Sequence, residues 1–180
     1  MQYRKNLDPL KTESPETDRM SKKHYTSIVI GSGPGGEGAA MKLAKSGHAV
    51  AIVEAHDQVG GGCLHWGTIP SKALRHSIQL LADYRSNPLF QETVRQVDIQ
   101  YPELLKAAED VIEEQVQNTN RYYSRNDVDV IHGRARFTDD HTIEVDSGNA
   151  NTESYSADYF VIATGSSPYQ PEDVDFSHPR

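Results

Sequence analysis

An α/β fold is what the 180-residue sequence predicts: a parallel sheet with a helical insertion and a small antiparallel β-meander. Three observations carry this. Short apolar, β-branched runs at 27–30, 49–53 and 159–162 read as strands buried on both faces. A glycine-rich turn and an amphipathic stretch separate the first two, the pattern of a βαβ unit about thirty residues long. Beyond Asn126 the hydrophobic period shortens to two, as in half-buried antiparallel strands.

Residues 1–24 stand apart from this pattern. They hold five apolar residues against ten charged ones, without periodicity or an apolar core segment, and read as a disordered extension. With no export signal, the cytoplasm is the expected compartment. The first strand, 27–30, runs straight into Gly31-Ser-Gly-Pro-Gly-Gly36, and a helix is expected over 37–46, closed by Gly47. The second strand ends in Glu54. A glycine stretch, Gly60 to Gly62, leads through Cys63 to Pro70, which suits a first helical turn, and 73–84 reads as helix with Leu74, Ile78, Leu80 and Leu81 apolar. A longer amphipathic helix is expected over 103–123. Leu105, Ala108, Ile112 and Val116 lie on one face of it, Glu109, Glu113 and Glu114 on the solvated side, and Val111, Ile112 and Val116 are expected in the core. Val128 and Val130, Ala135 and Phe137, and Ile143 and Val145 then alternate with polar residues as three meander strands, with turns at Asp139-Asp140 and Asp146-Ser-Gly-Asn149. The last strand, 159–162, runs into Ala163-Thr164-Gly165.

Composition removes several function classes. Twenty-six acidic against 18 basic side chains give a net charge of −8, which argues against nucleic acid as a partner. A single cysteine excludes a disulfide framework and a Cys-rich zinc site. Eight histidines without ligand spacing leave no metal site to expect. No apolar run reaches the ~18 residues of a membrane span. The hydrophobic content of 36% is low, against a usual ~45–50% apolar residues even after allowing for glycine and tyrosine. A polar tail dilutes the core, or part of the fold lies outside these residues.

The strongest motif is Gly31-x-Gly33-x-x-Gly36 between a strand and a helix. The first glycine permits a tight turn, the second admits a pyrophosphate, and the third lets helix and strand pack closely. Backbone N–H groups at the helix start would meet the phosphate charge. Glu54 lies eighteen residues after Gly36, near the ~20 at which a carboxylate accepts from a ribose diol. That acid would repel a 2′-phosphate, so the loop is suited to FAD or NAD rather than NADP.

Residues 60–74, Gly-Gly-Gly-Cys-Leu-His-Trp-Gly-Thr-Ile-Pro-Ser-Lys-Ala-Leu, resemble the redox segment of the flavoprotein disulfide reductases. In that family a glycine pair, a Cys, four residues and a second Cys precede Ile-Pro-Ser-Lys. Here Cys63 holds the first cysteine position and Thr68 the second. Thr164-Gly165 resembles the family's second FAD-contacting motif, and Gly133-Arg-Ala-Arg-Phe137 resembles the meander strand near the adenosine. The resemblance covers roughly 25–180. It implies a Rossmann-like FAD-binding domain, the first part of a much longer chain, cut before an NAD(P)-binding domain. FAD contacts are implied at Gly31, Gly33, Pro34, Gly35, Gly36, Glu54, Ala55, Gly61, Gly62, Cys63, Thr68, Lys72, Ala135, Ala163, Thr164 and Gly165. Lys72 and Thr68 are implied beside the flavin, where the ammonium would stabilise charge on reduced flavin. His65 and Trp66 either shape the flavin edge or simply pack.

A dithiol centre needs two thiols within reach. Thr68 supplies none, and the chain has no other cysteine. Residues 33–41, 63–76 and 173–180 resemble the members of the family that need no disulfide. The implied activity is hydride traffic, in which NADPH reduces the flavin and the flavin passes hydride to NAD⁺, largely at sites outside this chain. Homo-oligomerisation through a further C-terminal domain is implied as well. Two alternatives stand beside it: a noncatalytic FAD-binding fragment, and a dihydrolipoyl dehydrogenase-like disulfide reductase, which Thr68 disfavours.

Overall fold

The computed structural model describes residues 23–90, 92–93, 98–148 and 151–177. Most of the expected extension (1–22) and Asn149 of the expected turn lie outside the described residues. Strand β1 (Lys23–Ile30) is followed by α1 (Pro34–Lys45), β2 (Val50–Glu54), a short α2 (Gly61–His65), α3 (Thr68–Ser86) and α4 (Tyr101–Arg125). Four strands complete the chain: β3 (Val128–His132), β4 (Arg134–Asp139), β5 (Thr142–Asp146) and β6 (Thr152–Ile162). They form one six-stranded sheet in the order β3-β2-β1-β6-β5-β4.

Strands β3, β2, β1 and β6 run parallel, and β6, β5 and β4 pair antiparallel. The central strands are apolar throughout because both faces are covered. Val29, Val50, Ile52 and Val128 face the helices, together with Ala40, Val116 and Tyr123. Ile28, Ala51 and Val53 point the other way, onto Ile143, Val145, Tyr155 and Ala157 of the meander. Two cores therefore share one layer of strands. Among the described residues no helix is long and apolar enough to cross a membrane.

Several boundaries differ from expectation, each for a physical reason. β1 starts at Lys23, not within 27–30, because Lys23 and His24 pair with Tyr155 and Ser156 of β6. The segment 128–132 is not a meander strand. It runs parallel to β2, from Val50↔Val128 to Glu54↔His132, and forms the sheet's edge. Strand β6 begins seven residues before the apolar run at 159–162, since its polar first half alternates around Tyr155 and Ala157 while pairing with β5. The glycine stretch before Pro70 contains α2. α4 starts at Tyr101 because the Glu103 carboxylate accepts a 2.7 Å hydrogen bond from the Gln100 N–H, a reciprocal cap that fixes the first turn. α3 buries no residue fully and packs mainly along α4, which leaves Ile78 and Leu80 exposed. Val116 is buried and Ile112 packs against the core, but Val111 is exposed, one helical step off the buried face.

Candidate functional site

The chain leaves β1, β3 and β6 at one end of the sheet, and each exit is tied to a neighbouring strand. Gly31 N–H donates to Val53 O, Ala163 N–H to Ile30 O and Gly133 N–H to Glu54 O, all at 2.8 Å. β1 is flanked by β2 on one side and β6 on the other. The connections diverge there, which is where an open α/β sheet leaves a crevice beyond its strand ends.

The three glycines do different work. Gly31 has φ +102°, and a Cβ on it would lie 2.3 Å from the Ala163 carbonyl oxygen. A Cβ on Gly36 would lie 1.8 Å from the Gly31 oxygen, so only glycine lets α1 sit this close to β1. Gly33, the N-cap of α1, is open by contrast: the nearest atom to its Cβ position is the Cα of Gly61, at 3.9 Å. Gly61 (φ +61°) closes from the other side, its own Cβ position 2.7 Å from the Gly33 Cα. The two loops therefore leave a backbone-lined cradle over the start of α1, which a side chain at Gly33 would fill. Backbone N–H groups at a helix start suit an anion such as a pyrophosphate.

Glu54 closes β2 and is only 4% exposed. Its Oε2 accepts from the Ser32 N–H (3.1 Å) and the Ser32 hydroxyl (2.5 Å), and its Oε1 accepts from the His56 N–H (2.9 Å). Ser32 in turn accepts from the Gly60 N–H at 2.9 Å, so one hydroxyl links the two loops to the end of β2. Burial alone would raise the Glu54 carboxyl, but these hydrogen bonds outweigh it and hold the group below its usual range. A carboxylate offers about four acceptor positions, so Oε1 keeps room for one further donor. Ser32 was invisible in the motif, where the position between the first two glycines carries no restriction. Its signal was a small hydroxyl residue buried beside a buried acid.

The remaining candidates are spread around this edge. Gly62 and the half-buried free thiol of Cys63 lie on α2, while Thr68 and Lys72 are exposed on the first turns of α3. Lys72 makes no ion pair among the described residues. Ala55 is exposed just past β2, Thr164 and Gly165 (φ +73°) follow β6, and Pro34 and Gly35 open α1. Ala135 lies on β4 and packs into the meander core, two residues from the Gly133 contact to β2. His65 Nε2–H donates to Val59 O at 2.9 Å, a structural bond, and Trp66 is exposed with its ring edge-on to His56 at 4.9 Å. A separate cleft of about 730 Å³ opens beside the first residues of β1, at the opposite end of that strand. It is lined by the Lys23–Asp129 pair and Tyr25, whose hydroxyl donates to Asp129 at 2.8 Å. Among the described residues no group of three or more His, Cys, Asp or Glu is placed to hold a metal.

Comparison with known proteins agrees with this geometry. The family model described as pyridine nucleotide-disulphide oxidoreductase matches residues 25–177. Soluble pyridine nucleotide transhydrogenases are 52% identical over 159 residues (Vibrio cholerae serotype O1), 54% over 157 (Vibrio vulnificus) and 49% over 156 (Escherichia coli). These alignments cover 87–88% of this chain and 34% of each relative, so the chain spans about a third of the length of the curated relatives it matches. In fold, the chain superposes on the Cu(II) complex of the HOCl-induced flavoprotein disulfide reductase RclA from Escherichia coli with a TM-score of 0.69. That match has 24% identity and covers 83% of this chain and 30% of the other.

Proposed function

The chain belongs to the pyridine nucleotide-disulphide oxidoreductase family, and from that membership we propose that residues 25–180 supply the FAD-binding part of an enzyme that moves hydride from NADPH to NAD⁺. The observation that carries this reading is Thr68 in an otherwise intact cofactor framework. The second thiol position of the redox segment is a hydroxyl, and Cys63 is the chain's lone cysteine. Disulfide exchange has no second sulfur to work with. The relatives named soluble pyridine nucleotide transhydrogenase support the same reading.

In this proposal the cradle between Gly33 and Gly61 holds the pyrophosphate, and the free acceptor position on Glu54 Oε1 takes the adenosine ribose. Ser32 fixes that carboxylate, so the acceptor stays ionised and aimed at neutral pH. Ala55, Ala135, Ala163, Thr164 and Gly165 border the same edge. Thr68 and Lys72 lie toward the ring, where a solvent-facing ammonium attracts negative charge. Bound flavin supplies two-electron hydride chemistry that no side chain here possesses. The NADPH and NAD⁺ sites, self-association and a cytoplasmic location belong to the same proposal and rest largely on segments beyond this chain.

The test uses the full-length protein with FAD bound: NADPH, a spectrally distinct NAD⁺ analogue and no added thiol. Hydride transfer that survives Cys63→Ser is expected. No transfer by the flavin-loaded protein, or reduction of a lipoamide or glutathione disulfide instead, refutes the reading. Because the chain spans only a third of its relatives, a second reading applies to the 180 residues alone, a noncatalytic FAD-binding module. Bound yellow flavin that NADPH does not bleach is the result expected of it.

A further inference from the structure

His132 is the last residue of β3 and lies opposite Glu54 in the parallel register with β2. The Gly133 N–H just beyond it donates to the Glu54 carbonyl at 2.8 Å. The His132 ring itself grips the turn that follows β2: its Nδ1 lies 3.0 Å from the His56 carbonyl oxygen. A carbonyl only accepts, so Nδ1 carries the proton and donates. The residue held in this way is the one whose N–H donates to Glu54 Oε1 at 2.9 Å.

The two carboxylate oxygens of Glu54 therefore have separate guides. Oε2 is fixed by Ser32, at the exit of β1. Oε1 is aimed by His56, and His56 is held by His132, at the exit of β3. Burial cannot do this second job, because residues 55–58 are all exposed and the chain returns to the core only at Val59. The Trp66 ring, edge-on to His56 at 4.9 Å, is itself 67% exposed. An exposed turn of this kind keeps one conformation through specific contacts. Among the described residues, the His132 bond is the one hydrogen bond that 55–58 receive from another strand. His65 makes a similar bond to the Val59 carbonyl, but Val59 is buried and the core holds it in place.

We infer that His132 is a positioning residue for the dinucleotide site: by holding the His56 carbonyl it keeps the His56 N–H on Glu54 Oε1, and so keeps the remaining acceptor position of that oxygen aimed at the adenosine ribose. This rests on the cofactor reading above. The imidazole acts through the turn from 54 to 56 and needs no contact of its own with the cofactor.

Aiming is separated from mere bracing by changing the ligand. The full-length protein, stripped of FAD, is titrated by flavin fluorescence with FAD and with a FAD analogue whose adenosine lacks both ribose hydroxyls. The parent is expected to bind FAD at least about tenfold tighter than the analogue, as for a hydrogen bond to a charged acceptor. His132→Leu removes the donor at an exposed site. It is expected to cut that preference to about threefold or less, while binding the analogue within about twofold of the parent. His132→Asn sets an amide N–H near the place of Nδ1 and is expected to restore the preference. A full preference in His132→Leu, an equal loss for both ligands, or no recovery in His132→Asn overturns the inference alone. A parent that takes up no FAD refutes the cofactor reading, and one that binds both ligands equally refutes the Glu54 assignment within it; either takes this inference with it.

Discussion

Alanine at Gly36 would set a methyl carbon 1.8 Å from the Gly31 carbonyl oxygen, 3.0 Å from its carbonyl carbon and 3.3 Å from a Val29 methyl. Two of these neighbours are backbone, so no rotamer change relieves the overlap. Restoring contact distance means moving the start of α1 about 1.5 Å off β1, and overpacking of this kind costs about 3 kcal/mol or more. For a domain of this size each kcal/mol is worth roughly 2–4 °C in melting temperature. Gly36→Ala is therefore expected to melt at least about 6 °C low. Gly38, two residues on in the same helix, has nothing within 4 Å of its Cβ position. There the same substitution removes a helix-interior glycine and is expected to stabilise by about 0.5–1 kcal/mol. Gly33→Ala separates folding from binding. With φ −65° and ψ 177°, and only the Gly61 Cα at 3.9 Å, alanine fits the unliganded loop. Stability should change by less than about 1 kcal/mol, while FAD affinity falls at least about tenfold as the methyl fills the cradle. Thermal melts without FAD and fluorescence titrations with it measure all three. Gly36→Ala melting within about 2 °C of the parent refutes the packing reasoning. Gly33→Ala binding FAD like the parent refutes the cradle.

Three further outcomes follow from the same edge and its surroundings. Glu54 has a folded-state pKa below its usual one, so its contribution to stability is complete at neutral pH and is lost as pH falls below about 4.3 through the lowered value. Glu54→Gln should accordingly be about 2 kcal/mol less stable at neutral pH, with the gap closing on acidification; a pH-independent gap contradicts the assignment. Ser32→Ala strands the Gly60 N–H and leaves the Glu54 Oε2 with the backbone N–H of residue 32 as its remaining donor, and denaturant titration should show a loss of about 1–3 kcal/mol. Lys23→Met removes an exposed ion pair to Asp129, and should cost less than about 1 kcal/mol, shrinking with added salt.

The glycine loop and Glu54 were legible because their constraints are local. A turn without side-chain room and an acid at a strand end can be read by counting residues. The parallel pairing of β3 was not legible. Val128 and Val130 face the helices while Asp129 is exposed at the sheet edge, an alternation that an antiparallel strand shows equally well. Only the partner, β2, more than seventy residues earlier, distinguishes the two. Tyr122 and Tyr123 make the same point on a helix: one is 50% exposed and the other 1%, a difference of one 100° step that composition does not encode.

Strand β6 lies against β1 along its length, and His24 and Ser156, whose side chains meet at 3.0 Å, are 132 residues apart. Such a contact gives the domain a high contact order and a slow closing step. During synthesis at about 5–20 residues per second, β1 waits roughly 7–26 s for its neighbour to be made. Through that interval Ile28, Ala51 and Val53 have no Ile143 or Val145 to cover them, and β1 keeps one unpaired edge. Until the meander arrives, the early strands therefore keep an apolar face uncovered and one edge open to pairing.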